Sequence, residues 1–520
     1  MPVFEELKLD PAEAYGTANL EEIVRDRFPA WRNRSFKVLR RSLDARGSRV
    51  QALIRLVEAD SPLALAQEGR PFQPKVLGPN APELHVVGAG PAGIFAALRC
   101  LEHGWRPVVF ERGQAVRERR RDVALLSREG QLNPESNYCY GEGGAGTFSD
   151  GKLYTRSSKR GDVYSVLRLL IELGAPASIA YEAHPHIGTN KLPALVQKAR
   201  EIILEAGGRF YFNQKVVDLR LQGGRIRSLV TQNGTEHGLK ALVLCTGHSA
   251  REVYRMLDRL GIAMEPKALA MGIRVEHPQE WVNRWRYRLQ GELPEGWPVA
   301  SYAVVEQVQE RGVYSFCMCP GGIMAPCATE TETVVTNGWS PSRRNNGTAN
   351  AGWVTEIGME DVPVFPPNPA LSLLHFQEVI EARAAEMGGR PSFAPAQDLH
   401  AYATGKPASG LPACSYRPGT TAAPLHQLYP SGIQARLAAG LMKWQGRWPE
   451  LFGEGAVAAG PESRTSAPVR IPRDPQFLHH PQCTNLYPVG EGAGYAGGIM
   501  SAILDARRTV DTLVAGHTPT

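Results

Sequence analysis

Three glycines in the run "GAGPAG" have the spacing of a dinucleotide-binding turn. Gly88, Gly90 and Gly93 form G-x-G-x-x-G, in which the first permits a tight turn, the second lets a pyrophosphate approach the backbone and the third lets a helix pack on the preceding strand. Glu111 follows at the end of the next predicted strand, where a carboxylate can bind both hydroxyls of an adenosine ribose and would repel a 2′-phosphate. The pattern predicts a dinucleotide site unsuited to NADP, and it leaves NAD and FAD open.

A second glycine-rich turn, Gly490 to Ser501, near the C-terminus favours FAD. An NAD domain is usually contiguous and complete within about 150 residues, so an element this distant indicates a split site for a larger cofactor. Glu491 can accept hydrogen bonds from a ribityl chain. Four backbone amides open a helix that would face the flavin edge where negative charge gathers on reduction. These amides belong to Gly497, Gly498, Ile499 and Met500.

Two further loops supply the candidate catalytic residues Lys152, His186 and Asn190. Lys152 lies in "GEGGAGTFSDGKLY" and is the best candidate to sense the charge of a flavin; the competing interpretation is a plain turn. His186 and Asn190 lie in "HPHIGTNKL", where a histidine could donate protons, although loop histidines are commonly only hydrogen-bonded or solvated. Metal ligation is not predicted, because neither C-x-x-C nor H-x-x-x-H spacing occurs.

Cys317 and Cys319 in "VYSFCMCPGG" would share one face of a strand. A redox-active dithiol and small core residues are both open, and core packing is preferred because disulfide reductases carry their cysteines close to the first glycine turn. Arg343, Arg344 and Arg464 lie on polar loops where they could bind an anionic substrate.

The elements that must position these residues indicate an α/β fold. "ELHVVGAG", "PAGIFAALRCLEHG" and "RPVVFER" read as strand, helix and strand of a βαβ unit, and "RFYFNQKVVDLRLQGGRIRSLVTQNG" reads as a β-meander. We predict a split Rossmann-type FAD-binding domain over 81–260 and 475–520, with an inserted β-sheet substrate domain over 261–474. Residues 1–80 are predicted as a small α+β domain ending in a Pro- and Gly-rich linker over 61–83.

The composition is that of an ordinary globular protein. The 520 residues are 43% apolar and 21% charged, with a formal charge of +6. The N-terminus lacks a signal-peptide core, apolar runs are too short to cross a bilayer, and eight scattered cysteines do not resemble a secreted disulfide framework. A cytoplasmic location is the expectation. The arginines of the first domain favour a solvated face over a patch that binds RNA or a partner.

Longer motifs add a family resemblance. "GAGPAG", "CTG" and "GEGAGYAGG" resemble the glutathione-reductase-like FAD superfamily. "NYCYGEGGAGTFSDGKLYTR", "CMCPGGIMAPCATE", "TNGWSPSRRNNGTANAGW" and "ESRTSAPVRIPRD" resemble a family of bacterial FAD-dependent dehydrogenases or oxidoreductases with a ferredoxin-like N-terminal domain. Carried over by position, the resemblance implies FAD contacts at Gly88, Gly90, Ala92, Gly93, Glu111, Arg112, Gly144, Ala145, Gly146, Thr147, Val217, Thr246, Gly247, Gly490, Glu491, Gly497, Gly498, Ile499 and Met500. Related proteins often carry Asp at the position of Glu491.

These observations predict an FAD-dependent oxidoreductase that acts on a small organic substrate, with NAD(P)H or another donor visiting the flavin transiently. A flavin-dependent hydroxylase or a double-bond reductase is a close alternative. An RNA-modifying flavoprotein that uses the basic N-terminal domain, or a non-catalytic FAD-binding protein, belongs to a different class.

Overall fold

The computed structural model describes residues 4–17, 19–154, 161–407 and 410–516. Residues 155 and 156, which end the first long family motif, lie outside the described residues. Among the described residues, no helix has the length and apolar character needed to span a membrane.

The chain begins with a small α+β body. Its strands are β1 (Glu5–Leu9), β2 (Phe36–Asp44) and β3 (Gln51–Glu58), in the antiparallel order β1-β3-β2. Its helices are α1 (Pro11–Tyr15), α2 (Leu20–Arg27) and α3 (Pro62–Glu68). Helix α3 lies in the segment predicted as linker; Ser61 caps it through the amide of Ala64, and Pro62 suits its first turn.

Several arginines of this body are already paired. Arg41 is bound by Glu182, Arg46 by Asp44 and Arg55 by Glu6. Arg41 is largely buried in its pair, whereas Arg46 and Arg55 are exposed.

The dinucleotide motif opens a fully parallel sheet. The sheet has the order β22-β10-β4-β5-β6. Its strands are β4 (Glu83–Val87), β5 (Arg106–Phe110), β6 (Arg209–Tyr211), β10 (Leu242–Leu244) and β22 (Leu486–Pro488). The last strand pairs with β10 in parallel register, Val243 opposite Tyr487, so the C-terminal segment completes the same sheet that the GAGPAG strand begins. The split Rossmann-type architecture is therefore confirmed.

Two further groups of strands complete the fold. The meander comprises β7 (Val216–Gln222), β8 (Arg225–Thr231) and β9 (Glu236–Gly238). A mixed seven-stranded sheet, here called the inserted sheet, has the order β13-β14-β17-β12-β20-β18-β19. Its strands are β12 (Leu269–Pro278), β13 (Val305–Val308), β14 (Arg311–Cys319), β17 (Thr348–Ile357), β18 (Ala394–Asp398), β19 (Thr420–Ala422) and β20 (Val457–Glu462). Two-stranded sheets pair β11 (Glu265–Pro266) with β21 (Val469–Arg470) and β15 (Ile323–Pro326) with β16 (Thr336–Trp339).

The remaining helices cover these sheets. They are α4 (Pro91–His103), α5 (Val116–Glu129), α6 (Val163–Glu172), α7 (Leu192–Glu205), α8 (Arg251–Arg259), α9 (Gln279–Tyr287), α10 (Ser372–Gly388), α11 (Leu399–Thr404), α12 (Ser431–Arg447) and α13 (Ile499–Ala515). The core of the inserted sheet is built around Trp353 and Trp444, whose rings stack 5.0 Å apart. The domain bounds 1–80, 81–260 with 475–520, and 261–474 remain a prediction.

Candidate active site

A cavity of about 1070 Å³ opens at the carboxyl ends of the parallel strands. Its wall includes the residues that directly follow β4, β5, β10 and β22. Ligands of open parallel sheets bind at this edge. The wall also includes Phe316 and Cys317 of β14, and Arg464 and Thr465, which follow β20.

The first glycine turn has the conformation that its sequence predicts. Gly88 has φ +98°, and a Cβ there would lie 2.4 Å from the carbonyl oxygen of Cys245. A Cβ at Gly93 would lie 1.8 Å from the carbonyl oxygen of Gly88, so only glycine lets α4 sit this close to β4. Gly90 directly precedes α4, and no described side chain caps that end, so the first amides of α4 remain available to an anion.

The second glycine segment, Gly144–Gly146, touches the first. A Cβ at Gly144 would lie 3.0 Å from the Cα of Gly90. The segment follows a loop held by Arg119, a residue that sequence analysis missed. Its buried guanidinium donates hydrogen bonds to the carbonyl oxygens of Asn137, Tyr138, Gly141, Glu142 and Gly144 at 2.7–3.3 Å.

The position of Arg119 could have been found from helical periodicity. It shares the buried stripe of α5 with Val116, Val123 and Leu126, whereas Arg117 and Arg120 are exposed. Burial lowers the pKa of Arg119 to about 10. A cation placed on an apolar stripe indicates a buried partner set.

The C-terminal glycine turn lies beside the other two. A Cβ at Gly492 would lie 2.4 Å from the carbonyl oxygen of Gly247, so this turn packs on the loop after β10. No described heavy atom outside the local chain lies within 4 Å of a Cβ built at Gly497 or Gly498. Both glycines line the cavity, and α13 begins at the next residue, Ile499.

Glu111 lies at the adenosine end predicted for the site. Its carboxylate accepts hydrogen bonds from the amides of Ala89, Gly113 and Gly141 at 2.8–2.9 Å. It therefore joins the first glycine turn to the Arg119 loop, and it retains acceptor capacity toward the cavity that it lines. Arg112 beside it pairs with Glu135 and Glu252.

Most predicted cofactor residues line the cavity, and four do not. Those on the wall are Gly88, Gly90, Ala92, Glu111, Arg112, Gly144, Ala145, Gly146, Thr246, Gly247, Glu491, Gly497, Gly498, Ile499 and Met500. Gly93 and Gly490 instead allow close packing. A Cβ built at Gly490 would lie 3.1 Å from the Cβ of Ala92. Thr147 is buried, with its hydroxyl donating to the carbonyl oxygen of Glu142.

Val217 is the fourth predicted cofactor residue that is not among the residues lining the cavity. Strand β7 alternates, so Val217 is 40% exposed while its neighbour Val216 is buried and lines the cavity. A shift of one residue along a strand moves a side chain to the opposite face.

Lys152 is part of a polar cluster on the wall formed by the inserted sheet. Its Nζ donates to the carbonyl oxygen of Met318 at 2.5 Å and lies 3.4 Å from Asp150 Oδ2 and 3.6 Å from Cys317 Sγ. Burial lowers the pKa of Lys152, but the adjacent Cys317, Cys319 and Asp150 outweigh this effect and raise it. Burial raises the pKa of Asp150, but the positive charges of Lys152 and Arg344 outweigh this effect and lower the pKa. The carboxylate therefore stays ionised.

His186 and Asn190 lie behind this cluster. His186 is bridged to Lys152 through the backbone, and burial together with Arg344 lowers its pKa to about 4, so it is neutral at neutral pH. Asn190 is exposed and accepts a hydrogen bond from the amide of Ser342. Lys152 lines the cavity, and His186 and Asn190 are not among the lining residues.

The structure does not assemble the three predicted anion-binding arginines. Arg464 reaches the cavity wall, but its guanidinium is committed to Glu381 at 2.9 and 3.1 Å and to Thr329. Arg344 lies 3.6 Å from Asp150, and Arg343 is exposed away from the lining residues.

The site fits a flavin dinucleotide on its own geometry. Glycine turns open onto a long cavity, the N-termini of α4 and α13 face it, and Glu111 and Glu491 stand on its wall. Burial raises the pKa of Glu491 to about 7. Such a carboxyl can both donate and accept hydrogen bonds near neutral pH.

The fold and the site together define an FAD-dependent oxidoreductase, and the comparisons with known proteins agree. The family described as FAD-dependent protein, C-terminal domain-like, matches residues 268–465, and the FAD dependent oxidoreductase family matches residues 184–350. A protein of Clostridium beijerinckii, described only as an uncharacterized protein, is 39% identical over 433 residues, which cover 82% of this chain and 80% of that protein. The chain belongs to the same family as this Clostridium beijerinckii protein, and it is an FAD-dependent oxidoreductase.

Solved structures are similar at lower identity. The L-amino acid deaminase of Proteus vulgaris is 12% identical, with 88% of this chain and 96% of that chain covered and a TM-score of 0.36. The L-proline dehydrogenase of P. horikoshii is 12% identical, with 86% and 95% covered and a TM-score of 0.36.

Proposed function

We propose that the cavity holds FAD and that the enzyme oxidises or reduces a small organic substrate bound beside Lys152, exchanging electrons with a transiently bound partner such as NAD(P)H. Bound FAD supplies two-electron transfer. The observation that carries this proposal is the meeting of three glycine segments and one polar cluster in a single cavity.

The chain's own residues divide the work within this cavity. The first amides of α4 and the glycines of the first two turns would bind the phosphates, and Glu111 would bind the adenosine ribose. Glu491 would bind the ribityl chain, and the N-terminus of α13 would stabilise negative charge on the flavin.

Lys152 and Asp150 would orient the substrate and set the charge next to it. The substrate must share the cavity, because the polar cluster lines the same wall as the cofactor residues. Among the described residues, one sheet is fully parallel, and the glycine turns that follow its strands open onto this cavity. A nicotinamide donor would therefore visit this cavity rather than occupy a domain of its own.

Anaerobic spectroscopy of the purified protein tests the proposal. The visible flavin absorbance should bleach when NADH or NADPH is added, and it should return when the organic substrate accepts the electrons. A colourless protein, or a flavin that no donor or substrate reduces, would contradict the proposal. NAD(P)H oxidation tied to oxygen uptake and to substrate hydroxylation would point instead to a hydroxylase.

A further inference from the structure

A bulge in strand β14 turns Cys317 toward the cavity. The pairing of β14 with β17 shifts register between Phe316 and Cys319, and Cys317 has φ +43°. The left-handed region is unfavourable for a non-glycine residue, and bulges of this kind re-aim side chains next to active sites. Cys317 is half-buried and lines the cavity, whereas Cys319 is fully buried behind it.

Two cations lie against the sulfur atoms of this pair. Lys152 Nζ is 3.6 Å from Cys317 Sγ and 3.9 Å from Cys319 Sγ. Arg274, completely buried, places its Nη2 3.5 Å from Cys319 Sγ. Adjacent cations stabilise a thiolate, and partial exposure makes it reactive.

These surroundings separate the two thiols in acidity. The hydrogen bond from Cys319 and the charges of Lys152 and Arg274 hold the pKa of Cys317 well below its usual value, against the opposing effect of burial. The hydrogen bond with Cys317, together with burial, raises the pKa of Cys319 well above its usual value. Cys317, on the cavity side, is therefore the more acidic thiol of the pair.

Core packing alone does not explain this arrangement. Small core cysteines need no charged partners, yet here the half-buried Lys152 and the fully buried Arg274 lie beside the sulfurs, paired with Asp150 and Glu462. Burying ions costs free energy that only specific pairing offsets. These contacts favour the other interpretation that the sequence left open, a redox-active dithiol.

We propose that Cys317 and Cys319 form a redox-active dithiol that exchanges an electron pair with FAD in the cavity. An S–S bond forms between the two sulfurs as the S–H bond of Cys319 breaks. The electron pair and that proton pass to the oxidised flavin, which becomes its reduced anion, and the reverse reaction reopens the disulfide. This inference rests on the proposed placement of FAD in the same cavity.

Reductive titration of the flavin-loaded protein tests the pair. The air-oxidised wild-type protein should consume two electron pairs per FAD before the flavin is fully reduced, and the Cys317→Ser and Cys319→Ser variants should consume one. Cys414→Ser, which removes a half-buried cysteine outside the cavity lining, should still consume two. One electron pair per FAD in the wild-type protein would overturn the proposal.

Thiol mapping of the wild-type protein needs no variant. After denaturation, the oxidised protein should show two fewer alkylated thiols than the reduced protein, with the missing pair mapped to a Cys317–Cys319 disulfide. Equal counts would overturn the proposal. In the reduced protein, Lys152→Met should shift the pH midpoint of Cys317 alkylation upward, and an unchanged midpoint would count against the cation's role.

The two proposals fail separately. A free Cys317 and Cys319 in an oxidised protein whose flavin is reduced by its donor would refute only the dithiol. A protein without flavin would refute the proposed function, whatever the state of the thiols.

Discussion

Arg119 is the residue whose surroundings best explain the loop that meets the first glycine turn. Its guanidinium donates hydrogen bonds to five backbone carbonyls between Asn137 and Gly144, and three of these carbonyls also accept a hydrogen bond from the adjacent chain. Sequence analysis identified the glycines that this loop carries but not the side chain that holds them in place. Helical periodicity marks Arg119 as a buried cation, but only its partners show which loop it holds.

Replacing Arg119 with methionine should destabilise the protein by about 3 kcal/mol or more, because five backbone carbonyls each lose one donor while the methylene packing is kept. Flavin content should fall as well, since the loop carries Gly144. Chemical denaturation and the ratio of flavin to protein absorbance measure the two effects. Arg120→Met, at the exposed neighbouring position, should change stability by less than about 0.5 kcal/mol; equal effects of the two variants would contradict this role.

At the scale of elements, the strands and helices around the glycine turns were predictable from their periods, and the interruptions within strands were not. The βαβ unit at Gly88, the meander and the C-terminal strand were all evident from apolar runs and turns. The bulge that re-aims Cys317 was not, because an alternating pattern contains no mark of an inserted residue. The composition of β7 likewise does not fix which face meets the cavity, which Val216 rather than Val217 lines.

Strand β12 carries a titratable group that ties it to a distant loop. Glu276 is buried and accepts hydrogen bonds from the amide and hydroxyl of Ser415, and burial raises its pKa to about 7. The folded state therefore favours the protonated carboxyl. Its contribution to stability is complete at acidic pH and is lost as the pH rises from the ordinary glutamate range through about 7.

Glu276→Gln should remove this dependence. Between pH 6 and pH 8, the wild-type protein should lose about 1 kcal/mol more unfolding free energy than the variant, which keeps a neutral side chain at all pH values. Denaturant titrations at the two pH values give the difference. Parallel losses in both proteins would show that Glu276 does not titrate in this range.

At the scale of the whole molecule, the site is assembled from segments that lie far apart along the chain. Sequence analysis joined the first and last glycine turns through the requirements of one large cofactor, and the parallel pairing of β22 with β10 confirms that they share a sheet. The wall supplied by the inserted sheet could not be predicted in the same way. Which of its residues face the cofactor side depends on how two sheets pack, and no local spacing encodes that.

The FAD content of a Gly497→Leu variant tests the central claim most directly. A Cβ built at Gly497 has no described atom beyond the local chain within 4 Å, and the backbone at Gly497 is not left-handed. A leucine side chain would therefore extend into the cavity without backbone strain. Gly446→Leu is the matched control, on the exposed face of α12. We predict that Gly497→Leu folds but binds FAD at least about tenfold more weakly, a cost of about 1.4 kcal/mol, while the control retains wild-type flavin. Wild-type FAD content in a folded Gly497→Leu protein would show that the C-terminal turn is not part of the cofactor site.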